Sequence, residues 1–306
     1  MREQLNWALF IGITIIGIPL IVSYRTSYKT GYDSKAYIEA IESNLEDKNK
    51  WTDIIEEEVF IGILAKQIPF TSEPEAIKVQ AVISRTYMAR RILGIETKGI
   101  LTAYSIDEMK QLWGAEYDQI YDTYRQAIVS TCSEVIAYGK DIIEPLYHKS
   151  SSGTTRDAQY IYNKDIPYLK SVESDMDQSS KQEYILKQEL INTLKSEYDD
   201  IVLTDEDIEN QIQIIEKDLA GYVISLQIGN LVIDGEEFRR LINLPSACFE
   251  IYGVEDNLIF DVRGEGEGVG LSQNGANVLA EQGMHYQEII KYYYTDIEIE
   301  KRQIQK

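Results

Sequence analysis

An acid near the start of a long predicted helix is the side chain best placed for acid–base chemistry. Glu75 opens a segment that ends at Tyr87 and also carries Gln80, Ser84 and Arg85. A protonated carboxyl group can donate a proton to a glycosidic oxygen, the first step of glycan cleavage. The structural alternative is a capping box in which Glu75 pairs with Ser72 as N-cap. A helix N-terminus lowers a carboxyl pKa, so a general acid there needs desolvation to compensate.

A glycine-rich stretch lies far from this helix in sequence, as Arg263-Gly-Glu-Gly-Glu-Gly-Val-Gly-Leu-Ser-Gln-Asn-Gly-Ala276. A dinucleotide-binding fingerprint would need a glycine at position 269 or 271, which are Val269 and Leu271. Glu265 and Glu267 would also repel a pyrophosphate. Alternating glycines after a strand instead indicate close backbone approach, which suits a groove for a polymer.

His148 precedes three serines, Ser150, Ser151 and Ser152, but no nucleophile elbow surrounds them. The chain has two histidines and two cysteines, too few and too scattered for a zinc site. A calcium-loop pattern from Asp175 fails, because Ser180 replaces its glycine and Leu186 its bidentate glutamate. The sequence therefore predicts no metal and no cofactor.

The overall composition limits the number of domains and the kinds of partner that the chain can have. The chain has 306 residues, is 44% hydrophobic and carries a net charge of -21. This length supports one large domain or two small ones. The acidity argues against nucleic acid as a partner, because phosphates would be repelled. Cys132 and Cys248 cannot form a disulfide framework, although a single bridge between them is compatible with the sequence.

The N-terminus is predicted to anchor the chain in a membrane. Residues 5–23 carry no charge and just reach the length that crosses a bilayer. Trp7 and Tyr24 flank the segment where interfacial aromatic residues are expected. A cleaved signal peptide is the competing interpretation, but Val22-Ser23-Tyr24 fits a cleavage site poorly. We therefore expect residues 1–24 to form an uncleaved transmembrane anchor.

Hydrophobic periodicity and turn residues predict an α+β protein after this anchor. We expect a linker or stalk over residues 25–52 and one domain over 53–306, with a β-rich core and a smaller helical lobe at about 178–215. Helices are predicted at 72–95, 106–127 and 273–282. Strands are predicted at 135–138, 142–148, 221–232 and 248–262.

Four motifs in the expected order resemble the family of stage II sporulation protein D and the amidase-enhancer domain. The segment from Glu75 to Tyr87 resembles the family's Glu-Ala-Leu-Lys-Ala-Gln-Ala-Val-Ala-Ala-Arg-Thr-Tyr. The glycine stretch resembles Gly-Arg-Gly-x-Gly-His-Gly-Val-Gly-Met-Ser-Gln-x-Gly-Ala. The stretch Tyr147–Gly153 is similar to Tyr-His-Ser-Thr-Ser-Gly-Gly, and Pro167–Val172 to Pro-Tyr-Leu-x-Ser-Val. The similarity runs from about residue 54 to the end of the chain.

The resemblance implies a membrane-anchored lytic transglycosylase that acts during endospore formation. Its substrate would be peptidoglycan glycan strands stripped of peptides, and the domain would lie outside the cytoplasm. Glu75 would serve as the single acid/base, with the 6-hydroxyl of N-acetylmuramic acid as internal nucleophile. The implied partners are a sporulation amidase and a membrane scaffold protein. The implied substrate-binding residues are Gln80, Arg85, His148, Ser150, Ser151, Ser152, Gly268, Ser272 and Gln273.

Three departures from the family pattern motivate an alternative function. Gln67-Ile68-Pro69 replaces Glu-Met-Pro, so one common acid is absent. Glu267 replaces the histidine of Gly-His-Gly, and Thr154 replaces a glycine after the serines. The alternative is a non-catalytic protein that binds glycan and activates a cell-wall amidase.

Overall fold

The computed structural model describes residues 57–95, 101–177, 179–204 and 207–302. The anchor predicted over residues 5–23 and the stalk over 25–52 lie outside these ranges. Within them, no helix combines the length and the apolar composition that a membrane crossing requires. The described chain is a mixture of helices and small sheets, as the α+β prediction requires.

The first hydrophobic core surrounds one central helix. Helix α2 (Pro74–Ile92) buries residues on nearly all its sides, including Ile77, Ala81 and Ile83. Around it pack α1 (Glu57–Gln67), α3 (Ile106–Trp113), α4 (Tyr117–Ser130), α8 (Gln273–Glu281) and α9 (Tyr286–Tyr293). A helix buried all round draws its stability from this packing more than from its own amphipathicity.

The start of α2 differs from the predicted capping box. The N-cap is Glu73, one residue after Ser72, and no side chain caps the helix. Pro74 occupies the first turn, where its missing N–H costs nothing. The Glu73 amide donates instead to Asn277 Oδ1 of α8 at 2.7 Å. The tertiary contact replaces the local cap, which leaves the Glu75 carboxylate free to bond elsewhere.

Short strands complete the first core. Strands β1 (Glu134–Tyr138), β2 (Asp141–Ile142) and β11 (Glu298–Lys301) form an antiparallel sheet in the order β11-β1-β2. Strands β3 (Tyr147–His148) and β10 (Leu271–Ser272) pair in parallel, so Ser272 stands opposite His148. A short helix, α5 (Gln159–Tyr162), follows the serine loop. The β3–β10 pair joins two motifs that are more than 100 residues apart in sequence.

A second core lies in the later half of the chain. Strands β4 (Ser180–Leu186), β8 (Phe249–Val254) and β9 (Asn257–Arg263) form one antiparallel sheet, with β9 in the centre. Strands β5 (Ile212–Lys217), β6 (Val223–Ile228) and β7 (Leu231–Asp234) form another. Helices α6 (Lys187–Glu197) and α7 (Gly235–Leu241) pack with them.

This second core corrects the helical lobe expected at about 178–215. That segment contains one α-helix, α6, between strands β4 and β5. The charged periodicity misled the prediction, because β4 is an edge strand with mostly exposed side chains and looks as polar as a helix. Cys132 and Cys248 are both free, so the bridge that the composition permitted does not form.

A buried arginine joins elements of the two cores. Arg156 is 1% exposed and donates from Nε to Asp218 Oδ2 and from a terminal nitrogen to Glu236 Oε1, both at 2.6 Å. Its guanidinium also lies 4.5 Å from the ring centroid of Tyr222. Gly268 packs against the same ring, where an added Cβ would come within 2.5 Å of Tyr222. The junction between the cores is therefore ionic and closely packed.

Replacing Arg156 by leucine should destabilise the protein strongly, because Asp218 would stay buried without its cation and Glu236 would keep only Arg239. Removing one partner of a buried ion pair costs about 3–5 kcal/mol. Denaturant unfolding followed by circular dichroism measures this loss. The matched control is Arg125→Leu, since Arg125 pairs with Glu57 at the surface and should be nearly neutral. Equal unfolding midpoints for Arg156→Leu and wild type would contradict the assigned role of Arg156.

Candidate functional site

Two cavities meet at the C-terminal end of α1. The first has a volume of about 580 Å³ and the second about 620 Å³. Gln67 lines both, so it stands at their boundary. The first is also lined by Ser84, Tyr87, Glu144, Tyr147, Arg156, Tyr160, Tyr162, Glu236, Arg240 and Glu267. The second is also lined by Ala65, Lys66, Ile68, Pro69, Lys149, Asp177, Gln273, Asn274 and Val278.

Three carboxamide side chains meet at this boundary. Helix α1 ends at Gln67 because Pro69 follows, and proline restricts the residue before it to extended backbone. Gln80 and Ser84, one turn apart on α2, donate to Gln67 Oε1 at 2.9 and 2.5 Å. Gln273, the first residue of α8, donates from Nε2 to the Gln67 carbonyl and to Gln80 Oε1, both at 3.0 Å. We call Gln67, Gln80 and Gln273 the amide network.

One backbone carbonyl fixes the orientation of the whole amide network. The Gln67 carbonyl only accepts, so the Gln273 atom that faces it must be the NH₂ nitrogen. That nitrogen donates to Gln80, so the Gln80 atom it meets is the oxygen, and the Gln80 nitrogen points at Gln67. The atom of Gln67 that receives this donor is therefore oxygen. Among the described residues, no hydrogen-bond partner is found for Gln67 Nε2 or for Gln273 Oε1.

The predicted serines and His148 lie beneath the surface. Ser150 bonds Ser179, and Ser152 donates to the Ala220 carbonyl at 3.0 Å. His148 is 4% exposed and its Nδ1 lies 3.2 Å from the Val269 carbonyl. Burial lowers the pKa of His148 to about 4, so its ring is neutral at neutral pH. These side chains therefore bond to other parts of the described fold, and their role in substrate binding stays a prediction.

Asp177 ties the serine loop to the glycine-rich stretch. Its Oδ2 accepts from the Ser151 amide at 2.7 Å and from the Ser272 hydroxyl. Burial raises the pKa of Asp177, although the bonds from Ser272 and Ser151 act in the opposite direction. Ser272 also caps α8, because its oxygen accepts from the Gly275 amide. Through Asp177, Ser151 and Ser272 thus help to fix the start of α8, where Gln273 lies, and the sequence analysis did not predict this contact of Asp177.

Arg85 lies on a different face of α2 from Gln80. Five residues along an α-helix correspond to a rotation of roughly 140°. The Arg85 guanidinium donates to the Ile128 carbonyl at 3.2 Å and to Thr131 Oγ1 at 3.3 Å, and lies 5.1 Å from the Phe60 ring centroid. Burial lowers its pKa to about 10, so it stays charged at neutral pH. Arg85 lines neither of the two cavities described above.

Glu75 also lies about 140° around α2 from Gln80 and outside both cavities. Its Oε2 accepts from the Tyr286 amide at 2.9 Å, at the start of α9, and its Oε1 from Lys78 at 2.5 Å. Burial raises the pKa of Glu75, but the bonds from Lys78 and Tyr286 outweigh it and hold the pKa below its ordinary value. The carboxylate is therefore ionised and anchors α9 in the resting protein. Its role as acid/base stays a prediction.

Aromatic and acidic side chains of the first cavity were also missed by the sequence analysis. Tyr162 donates to Glu267 Oε2 at 3.0 Å, and burial together with Glu267 raises the pKa of Tyr162. Burial raises the pKa of Tyr147 to about 12. Both phenols thus stay protonated at neutral pH and can donate hydrogen bonds. Glu267 stands where the family pattern has a histidine, and this difference in the sequence could have pointed to this part of the first cavity.

The anchoring bond of Glu75 predicts a pH-dependent stability effect. An acid with a depressed folded-state pKa stabilises fully above its unfolded-state pKa, and this stability is lost as pH falls through the folded-state value. Glu75→Gln should therefore lower the unfolding midpoint at pH 7, and the difference from wild type should shrink as the pH falls below about 4. Thermal unfolding over a pH series measures it. Glu116→Gln, at an exposed position, is the control. A difference that stays constant with pH would contradict the ionised anchor.

Comparison with known proteins shows the family to which the chain belongs. The family model described as "Stage II sporulation protein" matches residues 46–138. The chain is 30% identical to Stage II sporulation protein D of Bacillus subtilis (strain 168) over 256 residues, which cover 79% of this chain and 74% of that protein. It is 29% identical to Stage II sporulation protein D of Bacillus amyloliquefaciens over 255 residues, with 79% and 73% covered. An uncharacterised protein of Brachyspira hyodysenteriae is 26% identical over 250 residues. The chain therefore belongs to the stage II sporulation protein D family.

Proposed function

We propose that this chain binds the glycan strands of peptidoglycan during spore formation and supports a cell-wall amidase without cleaving the strands. The proposal depends on one observation, which is that residue 67 is a glutamine. A neutral amide stands at the boundary of the two cavities, at the position where the family pattern has a glutamate. Family membership supports the role in sporulation. The structure of the cleft supports the sugar ligand.

The lining of the two cavities has the composition of a saccharide site. Such sites combine aromatic faces with a few polar groups that fix orientation. The first cavity supplies Tyr87, Tyr147, Tyr160 and Tyr162, and the second supplies the amides of Gln273 and Asn274. Because Gln67 lines both, a linear polymer that passes it would contact both cavities. This arrangement suits a chain of sugars better than a single compact ligand.

The chemistry of Gln67 argues against cleavage in this cleft. Glycoside cleavage requires an acid that protonates the leaving oxygen, and a carboxamide cannot supply that proton. A glutamate at position 67 would accept the same bonds from Gln80 and Ser84 through one oxygen. Its second oxygen would then occupy the place of Gln67 Nε2 and face the glycan. The hydrogen bonds of the amide network would thus also hold a glutamate at position 67, and the glutamine that stands there can bind glycan but supplies no acid.

Gln67→Glu should therefore convert a binding protein into a glycan-cleaving one. Full-length wild type should bind amidase-treated sacculi in a sedimentation assay, stimulate the amidase and release no 1,6-anhydro sugars. Gln67→Glu should release such sugars, as measured by liquid chromatography and mass spectrometry.

The control for this substitution is Gln119→Glu, which adds the same charge at an exposed position of α4 and should behave as wild type. Cleavage by the wild-type protein would overturn the proposed absence of catalysis. A lack of glycan binding by the wild type would overturn the proposed function itself.

A second candidate is the lytic transglycosylase in which Glu75 is the acid/base. One observation favours it: the Glu75 side chain is 23% exposed, and burial already pushes its pKa upward. A glycan that covers Glu75 and displaces Lys78 would strengthen this effect. Glu75 would then protonate the oxygen between N-acetylmuramic acid and N-acetylglucosamine. As a base it would next take the proton of the 6-hydroxyl while that oxygen bonds to C1, giving a 1,6-anhydro sugar.

Glu75→Gln separates the two candidates. If Glu75 is the acid/base, wild type releases anhydro-muropeptides from peptide-stripped glycan and Glu75→Gln releases at least ~100-fold less, in line with the usual contribution of general acid–base catalysis. Equal release by both proteins would eliminate Glu75 as the catalyst. A folding control is the far-ultraviolet circular dichroism of the variant, because Glu75 also anchors α9.

The cellular setting is part of the same proposal. Residues 5–23 would hold the chain in the cell membrane with a single span, and the domain would lie outside the cytoplasm. Peptidoglycan is located there, and a stalk over residues 25–52 would let the cleft reach it. A sporulation amidase and a membrane scaffold protein are the proposed partners.

A further inference from the structure

The two most exposed tyrosines of the described chain stand side by side on one sheet. Tyr184 and Tyr252 are 62% and 39% exposed, whereas the other tyrosines of the described ranges are buried or half-buried. Tyr184 of β4 and Tyr252 of β8 both pair with Ile259 of the central strand β9, so the three side chains share one face. That face points away from the second core, because Leu258 and Phe260, which alternate with Ile259, pack into that core. We call Tyr184, Ile259 and Tyr252 the tyrosine row.

The rings of the tyrosine row lie along the sheet. The Tyr184 hydroxyl donates to Gln182 Oε1 at 3.0 Å, two residues earlier on the same strand, so the ring leans along β4. Loss of hydration and then Asp261 raise the pKa of Tyr252, which places its hydroxyl near Asp261, the residue that pairs with Gln182. Ile259 is only 9% exposed although it belongs to the outer face, so the two rings cover it. Their outward faces form a flat aromatic surface.

The dimensions of the tyrosine row suit a linear sugar polymer. Neighbouring strands lie about 4.8 Å apart, so the backbones of Tyr184 and Tyr252 are separated by about 9.6 Å, roughly the length of one disaccharide unit of a β-1,4-linked glycan. Sugar rings stack their C–H groups on aromatic faces, while polar side chains at the edges bond their hydroxyl groups. Gln182 and Asp261 lie in the row before, and Asn257 lies in the row after. The face therefore combines both kinds of contact.

We infer that the tyrosine row is a second saccharide-binding surface, separate from the two cavities, on which a β-1,4-linked glycan strand stacks. Every second sugar of the strand lies over a tyrosine. The two sugars of peptidoglycan alternate, so both tyrosines can stack on N-acetylglucosamine, the sugar that carries no carboxylate. Neither tyrosine lines either cavity. The inference rests on the proposed function for the identity of the polymer, and it adds a binding site to it.

The tyrosine row is reached from the second cavity along one strand. Ser179 lines that cavity, and β4 begins at the next residue, Ser180. Tyr184 is four residues further, which is about 13 Å along an extended strand. A glycan strand that leaves the cavity along β4 would reach the tyrosines within a few sugars. The second contact would then be intramolecular, so the two sites would strengthen each other's binding of a long strand.

A narrow polymer fits this face better than a second protein does. A stable protein interface buries about 800 Å² on each partner around an apolar centre. Besides the tyrosine row, the apolar part of this face consists of Leu186 and Val254, which flank Asn257 in the next row. These side chains make a short strip with polar residues between and beside them. The strip matches the width of a glycan strand more closely than that of a protein surface.

Sedimentation of the full-length protein with peptide-stripped glycan, over a concentration series, tests the inference. Tyr184→Ala/Tyr252→Ala should weaken binding at least ~5-fold, because both stacking contacts are lost. Tyr184→Phe/Tyr252→Phe keeps both rings and should bind within about twofold of wild type. The matched control is Val232→Ala, which removes apolar atoms at a position of the neighbouring sheet that is also 62% exposed, and it should bind as wild type does. A melting curve for each variant confirms that the protein compared is folded.

The other outcomes separate this inference from the proposed function. Equal binding by wild type and Tyr184→Ala/Tyr252→Ala would overturn the second surface and leave the proposed function standing. Binding that is lost equally in the alanine and phenylalanine variants would overturn stacking as its basis. An alanine variant that binds glycan normally but no longer stimulates the amidase would assign the row to a protein partner and overturn the saccharide assignment. Failure of the wild type to bind peptide-stripped glycan would overturn the proposed function together with this inference.

Discussion

The hydrogen bond from Gln273 to the backbone carbonyl of Gln67 is the constraint on which the site depends. It links the end of α1 to the start of α8, 206 residues apart, and it fixes which way three side-chain amides point. Asp177 and Ser272 hold the start of α8 in place for this bond. The β3–β10 pair and the glycine-rich stretch bring these segments together. Much of the fold around the cleft therefore serves to orient one carboxamide at position 67.

The sequence predicted the elements better than the site. The central helix and the helices at 106–127 and 273–282 follow from periodicity, and the family follows from the motifs. Among the described residues, the structure has helices and strands near the predicted positions. The lobe at 178–215 was assigned as helical because an exposed edge strand has the polar composition of a helix. The extended backbone of β4 depends on its pairing with β9, whose paired residues lie 71 to 83 positions later in the chain, and local patterns do not reveal this pairing.

Helix geometry and long-range contacts explain why the sequence pointed to Glu75 and not to Gln67. Two residues of one motif need not share a face of the helix: Glu75 and Gln80 are roughly 140° apart around α2. This angle was available from the sequence, whereas the partners of Glu75 were not, because the Tyr286 amide is 211 residues away. The sequence singled out Gln67 only because the family pattern has a glutamate at this position. Its bonds to Gln80 and Ser84 span 13 and 17 residues, and its place between two cavities needs the whole fold.

The central claim is that the Gln67 amide nitrogen faces bound glycan. Side-chain amide resonances of the ¹⁵N-glutamine-labelled full-length protein, assigned with Gln67→Glu, report on this atom directly during titration with peptide-stripped glycan. The account predicts that the Gln67 Nε2 resonance shifts and saturates with the glycan, while the Gln119 resonance does not move. A Gln67 resonance that stays unchanged at saturating glycan would contradict it.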